Sequence, residues 1–132
     1  MRINYMPLAD FKLEAHAQID KAAGDIRSRF ITLGGGMDMV YGEKRREAEA
    51  LMADTNLSAS ETPHLQVEAA KFGVERFEIA TTIIIKAYEW ANVSAKIEEI
   101  RVWQKHLVDE STTVPQVKAA ATIDWSPVTS YL

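Results

Sequence analysis

Four glutamates are the side chains of this sequence whose type and spacing best fit metal chemistry. Glu75 and Glu78 lie three residues apart, and Glu98 and Glu99 follow about twenty residues later. Carboxylate oxygens are the ligands that Mg²⁺ prefers, so two such pairs on neighbouring helices suit metal-assisted hydrolysis of a nucleotide. The second pair is adjacent, however, and both pairs fall within one predicted helix, about 30 Å apart along it. A solvated helix face is therefore the favoured interpretation.

The three consecutive glycines Gly34, Gly35 and Gly36 invite a comparison with ligand-binding loops. A phosphate-binding P-loop needs a later Gly-Lys-Ser or Gly-Lys-Thr, but Gly42 is followed by a glutamate. A dinucleotide-binding loop needs a preceding strand, whereas residues 8–30 have helical periodicity. Because glycine readily adopts positive φ angles, we interpret the triplet as a hinge between two helices.

The remaining reactive side chains form no recognisable catalytic motif. His16, His64 and His106 are far apart and none has HExxH-type spacing to a second ligand. The chain has no cysteine and no serine in a Gly-x-Ser-x-Gly elbow. We predict no catalytic residue, no metal site and no cofactor, and hence not an enzyme.

Aromatic side chains are better candidates for function, as interface residues. Trp90 falls on the apolar seam of the predicted long helix and is expected in the core. Trp103 and Trp125 fit either a core or an interface, since large aromatic side chains anchor both. We predict that Trp103, Trp125, Tyr131 and Leu132 form interaction sites with a partner.

Composition narrows the class of partner. The chain of 132 residues carries a net charge of -4, and its one dense basic run, 44–46, is flanked by glutamates. Nucleic-acid binding needs clustered basic residues, so no nucleic-acid partner is expected. The most apolar stretch, 79–85, is far shorter than the roughly 20 residues of a membrane span, so no membrane association is expected.

Five helices would position these residues. Apolar residues recur at three- and four-residue spacing, with flanking proline, threonine and glycine signals. The predicted helices are Leu8–Phe30, Met37–Ala53, His64–Phe72, Val74–Val108 and Val114–Ile123. Thr62 is the predicted N-cap of the third, Gly73 its left-handed C-cap, and Thr113 to Gln116 a capping box. We predict an all-α fold, a small helical bundle or hairpin around one long amphipathic helix, with a single domain over 1–124 and an extended tail over 125–132.

Short motifs follow one another in a familiar order between residues 15 and 124. They are an alanine-carrying helix ending near an arginine (Ala15–Arg29); Ile31, Thr32 and Gly34–Gly36; Tyr41, Lys44, Glu47 and Ala48; Pro63, Leu65, Glu68 and Ala69; Trp90; Ile97, Glu98 and Arg101; and Thr112 with Thr113. In this order the chain resembles a helical domain of unknown function found in phage and prophage tail-associated proteins. The resemblance implies association with a virion or its assembly, and it supplies no active site.

These observations together lead to one expected function and two alternatives. We expect a phage or prophage structural protein of the tail, tail fibre or baseplate, acting by helix packing and oligomerisation. Its partners would be copies of itself and other virion proteins, and its location the virion, after synthesis in the host cytoplasm. The alternatives are a phage assembly chaperone outside the virion and an all-α Mg²⁺-dependent nucleotide pyrophosphohydrolase. The hydrolase requires Glu75, Glu78 and Glu98 to converge, which needs a break in the long helix.

Overall fold

The computed structural model describes residues 6–30 and 37–130. These residues form helices and no strand: α1 (Leu8–Phe30), α2 (Met37–Ala53), a 3-10 helix (Ala59–Glu61), α3 (Pro63–Phe72), α4 (Arg76–Glu110), α5 (Val114–Ala121) and α6 (Ser126–Thr129). The predicted all-α fold around one long helix is confirmed. The isoleucine triplet 83–85, whose β-branched residues also suit a strand, lies inside α4.

Internal contacts divide the chain into two compact units, each with its own apolar cluster. The terminal unit contains α1, α4 from Asn92 onward, α5 and α6, and the central unit contains α2, the 3-10 helix, α3 and α4 as far as Ala91. The single domain over 1–124 stays a prediction.

In the terminal unit, α1 packs against α5 through the apolar stripe that its three- and four-residue spacing predicts. The buried cluster consists of Ala15, Ile19, Val108, Val117, Ala120 and Ala121, with Leu8, Phe11, Leu107 and Ile123 packed against it. Small alanines on both helices let the two backbones approach closely, so α5 is held along the face of α1.

In the central unit, α2 packs against α3 and the first half of α4 completes the core. The buried cluster is Ala48, Leu51, Leu65, Ala80 and Ile83. Arg76, at the start of α4, donates hydrogen bonds to the carbonyl oxygen of Leu57 at 2.8 Å and to the hydroxyl of Thr62 at 2.6 Å. These bonds fasten the loop between α2 and α3 to α4.

Two of the predicted helix ends are confirmed in their geometry. Gly73 has a φ of 67° and closes α3 in the left-handed conformation, which costs glycine little. At α5, the hydroxyl of Thr113 accepts a hydrogen bond from the backbone N–H of Gln116 at 3.3 Å. The Gln116 side chain accepts from the N–H of Thr112 at 2.8 Å, so the reciprocal half of the capping box is shifted by one residue.

Thr62 occupies the predicted N-cap position of α3, with Pro63 in the first turn, but its side chain forms no capping hydrogen bond. Its hydroxyl accepts from Arg76. Several predicted helix bounds are wrong. α3 begins at Pro63 rather than His64, α4 begins and ends two residues later than predicted, and α5 ends at Ala121 rather than Ile123.

The predicted extended tail is also wrong for residues 126–129, which form α6. The Asp124 carboxylate accepts a hydrogen bond from the Ser126 N–H at 2.9 Å, and Pro127 suits the first turn of a helix. Val128 is fully buried, so α6 belongs to the folded unit.

Candidate functional site

The predicted interaction residue Trp103 lies on the surface of the terminal unit. Its side chain is 57% exposed, and its ring centroid is 5.5 Å from that of His106. Trp103 borders a groove of about 310 Å³ whose apolar lining includes Ile100, Ile123 and Pro127. The indole is thus presented next to apolar surface, where a partner side chain has room to pack.

Trp125 is half-buried and occupies the N-cap position of α6. It therefore contributes to the fold, with part of its ring at the surface. Tyr131, Leu132 and the hinge glycines Gly34, Gly35 and Gly36 lie outside the described residues, so their roles stay predictions. Trp90, expected in the core, is half-buried.

The acidic residues considered for Mg²⁺ are not brought together in the described parts of the chain. Glu75 and Glu78 are exposed at the start of α4, and α4 runs from Arg76 to Glu110 as one helix. No group of three or more His, Asp or Glu side chains among residues 6–30 and 37–130 is arranged to hold a metal ion. The break that the hydrolase alternative needs does not occur between Glu78 and Glu98.

Glu98 is instead held by arginines in an ion-pair network on the terminal unit. Arg101 binds its carboxylate through two nitrogens, at 2.7 and 2.9 Å, and Arg27 of α1 binds it at 3.0 Å. Asp20 of α1 accepts from Arg101 at 2.9 Å and from Lys105 at 3.0 Å.

Hydrogen bonds from Arg101 and then Arg27 lower the pKa of Glu98 to about 2. Bonds from Lys105 and then Arg101 likewise lower the pKa of Asp20. The network joins α1 to α4 and keeps both carboxylates ionised.

The most chemically distinctive group of the central unit is a buried carboxylate, that of Glu47. The residue has 0% exposure, and its Oε1 accepts the backbone N–H groups of His64 at 2.8 Å and Leu65 at 3.2 Å. Its Oε2 lies 2.5 Å from Nδ1 of the same histidine. These two N–H groups belong to the first turn of α3, where helices carry unpaired donors and a partial positive charge. Glu47 therefore caps α3 from a neighbouring helix.

Sequence reasoning missed this role, since it treated Glu47 as one of the glutamates that flank the basic run 44–46. Within that run, Lys44 pairs with Glu68 of α3, and Arg46 pairs with Glu43 at 2.7 Å. No local pattern marks this role. Thr62 stands at the position whose side chain would ordinarily accept from these N–H groups, and the acceptor that replaces it lies 17 residues before His64.

A carboxylate bonded to one imidazole nitrogen also orients the ring for proton transfer at the other. The His64 side chain is 40% exposed, so its outer nitrogen faces an accessible surface. Among the described residues, no hydroxyl, thiol or metal-binding cluster pairs with that nitrogen. The pair has the orientation of a base, and through its hydrogen bonds it joins α2 to α3.

Comparison with known proteins adds no relative. No family model matches the chain, and neither the curated proteins nor the solved structures searched contain a match.

Proposed function

We propose that this chain is a phage or prophage structural protein of the tail, tail fibre or baseplate, which acts by packing helices against copies of itself and other virion proteins. The observation that carries the proposal is the apolar surface of α4. Large apolar side chains project from it at half exposure or more, in both units: Phe77, Ile85, Tyr88, Val102 and Trp103. Clustered exposed apolar residues on small proteins mark interaction surfaces.

The virion assignment is supported by the ordered motifs between residues 15 and 124 that resemble the phage tail-associated domain. The packing role has separate support. The candidate groups for chemistry have structural partners: Glu98 is bound by arginines and Glu47 caps α3. Within the described residues no helix is long and apolar enough to cross a bilayer. An assembly chaperone would use the same α4 surface transiently, so it is the alternative that the test must separate.

The test is quantitative mass spectrometry of purified phage particles from the host strain that encodes the chain, scaled to the major tail protein. We expect a signal at a fixed ratio to that protein, which would also give the copy number. A stoichiometric signal that survives a density gradient and a high-salt wash excludes adsorbed protein. Presence in the induced lysate without presence in particles would refute the virion role and favour the chaperone.

A further inference from the structure

The first half of α4 carries an apolar stripe on its outer face. Phe77 is 51% exposed, Ile85 53% and Tyr88 72%. At about 100° per residue these three side chains, with Thr81 between them, fall within one sector of the helix. The core-facing positions of the same half are Ala80, Ile83 and Ala87, each buried. The stripe therefore points away from the core of the central unit, and the spacing of its residues is that of a helix-packing face.

Two uncompensated carboxylates border this stripe. Glu78 and Glu89 follow Phe77 and Tyr88 by one residue each, so both lie on the same edge of the stripe, about 100° around the helix. Both are exposed, and neither forms an ion pair with a described basic residue. Three other glutamates of the central unit have basic partners: Glu43 with Arg46, Glu49 with Arg45 and Glu68 with Lys44. Glu61 and Glu75 also form no ion pair with a described residue, but only Glu78 and Glu89 lie on α4 beside the stripe.

We propose that this face of α4 binds an amphipathic helix of a partner protein, whose own apolar stripe is flanked by lysine or arginine. Grooves and faces with three- and four-residue spacing accept helices, and charges beside the apolar seam select which helix binds. The surface deepens the proposed packing role, on which it rests, and does not depend on the virion assignment.

The charges beside this stripe argue against a second copy of this chain as its occupant, which leaves Val102 and Trp103 of the terminal unit as the α4 residues for packing against copies. In an antiparallel two-fold pair, each edge of the interface meets the same edge of the partner. Glu78 and Glu89 of one copy would then face the same two glutamates of the other, and like charges across a helix pair are destabilising. A basic helix replaces this repulsion with two attractive pairs.

The test uses the full chain and three fluorescent peptides of about five helical turns. Two share one leucine stripe and differ only in its flanks, lysine in one and glutamate in the other, and the third is a scrambled lysine peptide without a stripe. In fluorescence anisotropy near 0.15 M salt, we expect the lysine-flanked peptide to bind about tenfold more tightly than the glutamate-flanked one. Glu78→Lys with Glu89→Lys should invert that preference. Phe77→Ser with Tyr88→Ser should abolish binding of both, with unchanged circular dichroism.

A matched control separates this surface from general attraction to an acidic protein. Glu14→Lys with Glu110→Lys makes the same change of charge at exposed glutamates of the terminal unit, and should leave all three affinities unchanged. Equal binding of the two striped peptides, binding of the scrambled peptide, or an equal effect of the control pair would each overturn the proposal. Dimerisation in sedimentation velocity that Phe77→Ser abolishes would overturn it in favour of a second copy. Peptide selectivity combined with absence from particles would refute the virion role alone.

Discussion

Removing the Glu47 carboxylate should destabilise the chain far more than its place in a highly charged helix suggests. The side chain is fully buried and accepts three hydrogen bonds, from the N–H groups of His64 and Leu65 and from the His64 ring. Glu47→Ala removes both acceptor oxygens and with them all three hydrogen bonds. The first turn of α3 then keeps two N–H donors, and Thr62 supplies no side-chain acceptor to replace the lost one.

The magnitude follows from these contacts. Loss of a helix cap costs about 0.5–2 kcal/mol, and a buried donor left without a partner costs about 1–3 kcal/mol. Water reaches the half-exposed His64 more readily than the buried Leu65. The Leu65 N–H, left without an acceptor, therefore accounts for most of the lost stability. We expect Glu47→Ala to lower the free energy of unfolding by about 3 kcal/mol in total. Glu47→Gln keeps a carbonyl for the two N–H groups and should cost about 1–2 kcal/mol.

Urea unfolding followed by far-UV circular dichroism measures the total effect, and hydrogen exchange of the His64 and Leu65 amides localises it. The matched control is Glu49→Ala on the same helix, whose exposed carboxylate pairs only with Arg45 at 3.0 Å. Exposed pairs of this kind are worth well under about 1 kcal/mol. If Glu47→Ala and Glu49→Ala destabilise equally, and exchange at Leu65 is unchanged, the capping role is wrong.

Three further predictions concern acid, a turn and the interface. Arg101 and Arg27 hold the pKa of Glu98 at about 2, below its ordinary value of 4.5. The stability that the ionised Glu98 contributes is therefore fully present above pH 4.5 and is lost as the pH falls through 2. Glu98→Gln should flatten the pH dependence of urea unfolding between these two pH values. Gly73→Ala should destabilise by about 1–2 kcal/mol in thermal unfolding, since the added β-carbon meets nothing within 4 Å and only the positive φ opposes it. If Gly73→Ala leaves the free energy of unfolding unchanged, the backbone at residue 73 relaxes out of its positive φ and the prediction is wrong. Trp103→Ala should reduce the assembled fraction in light scattering while the unfolding midpoint stays unchanged, and loss of both together would contradict an interface role.

Much of the fold could be predicted from local patterns. α1 and α2 have the predicted bounds, Leu8–Phe30 and Met37–Ala53, and α1 buries the apolar residues whose three- and four-residue spacing predicted it. The left-handed turn at Gly73 followed from the conformational freedom of glycine alone. Such features depend on neighbours within four residues, which the sequence displays directly.

The sequence could not show which hydrogen-bond partners meet when they lie far apart along the chain. Glu47 and His64 are 17 residues apart. Arg76, which donates to the Thr62 hydroxyl, lies 14 residues after Thr62. The sequence also left Trp103 open between core and interface. The structure settles its burial: Trp103 is mostly exposed, whereas Ile97, six residues earlier and so about 120° away around the helix, is fully buried.

The exposed apolar residues of α4 set a limit on how the chain can associate. A side chain that is already half exposed gains about 1–2 kcal/mol when a partner covers the remainder, in proportion to the apolar area removed from water. Phe77, Ile85 and Tyr88 together therefore supply about 3–6 kcal/mol, and the stripe of a bound helix adds a similar amount from its own side. Association costs at least about 4 kcal/mol in lost translational and rotational freedom, so we expect a single α4 contact to have an affinity in the micromolar to millimolar range. A peptide titration reaches that range, but persistence in a washed particle requires several contacts per copy, so that each new contact forms at high effective concentration. A repeating assembly such as a ring or fibre provides that condition.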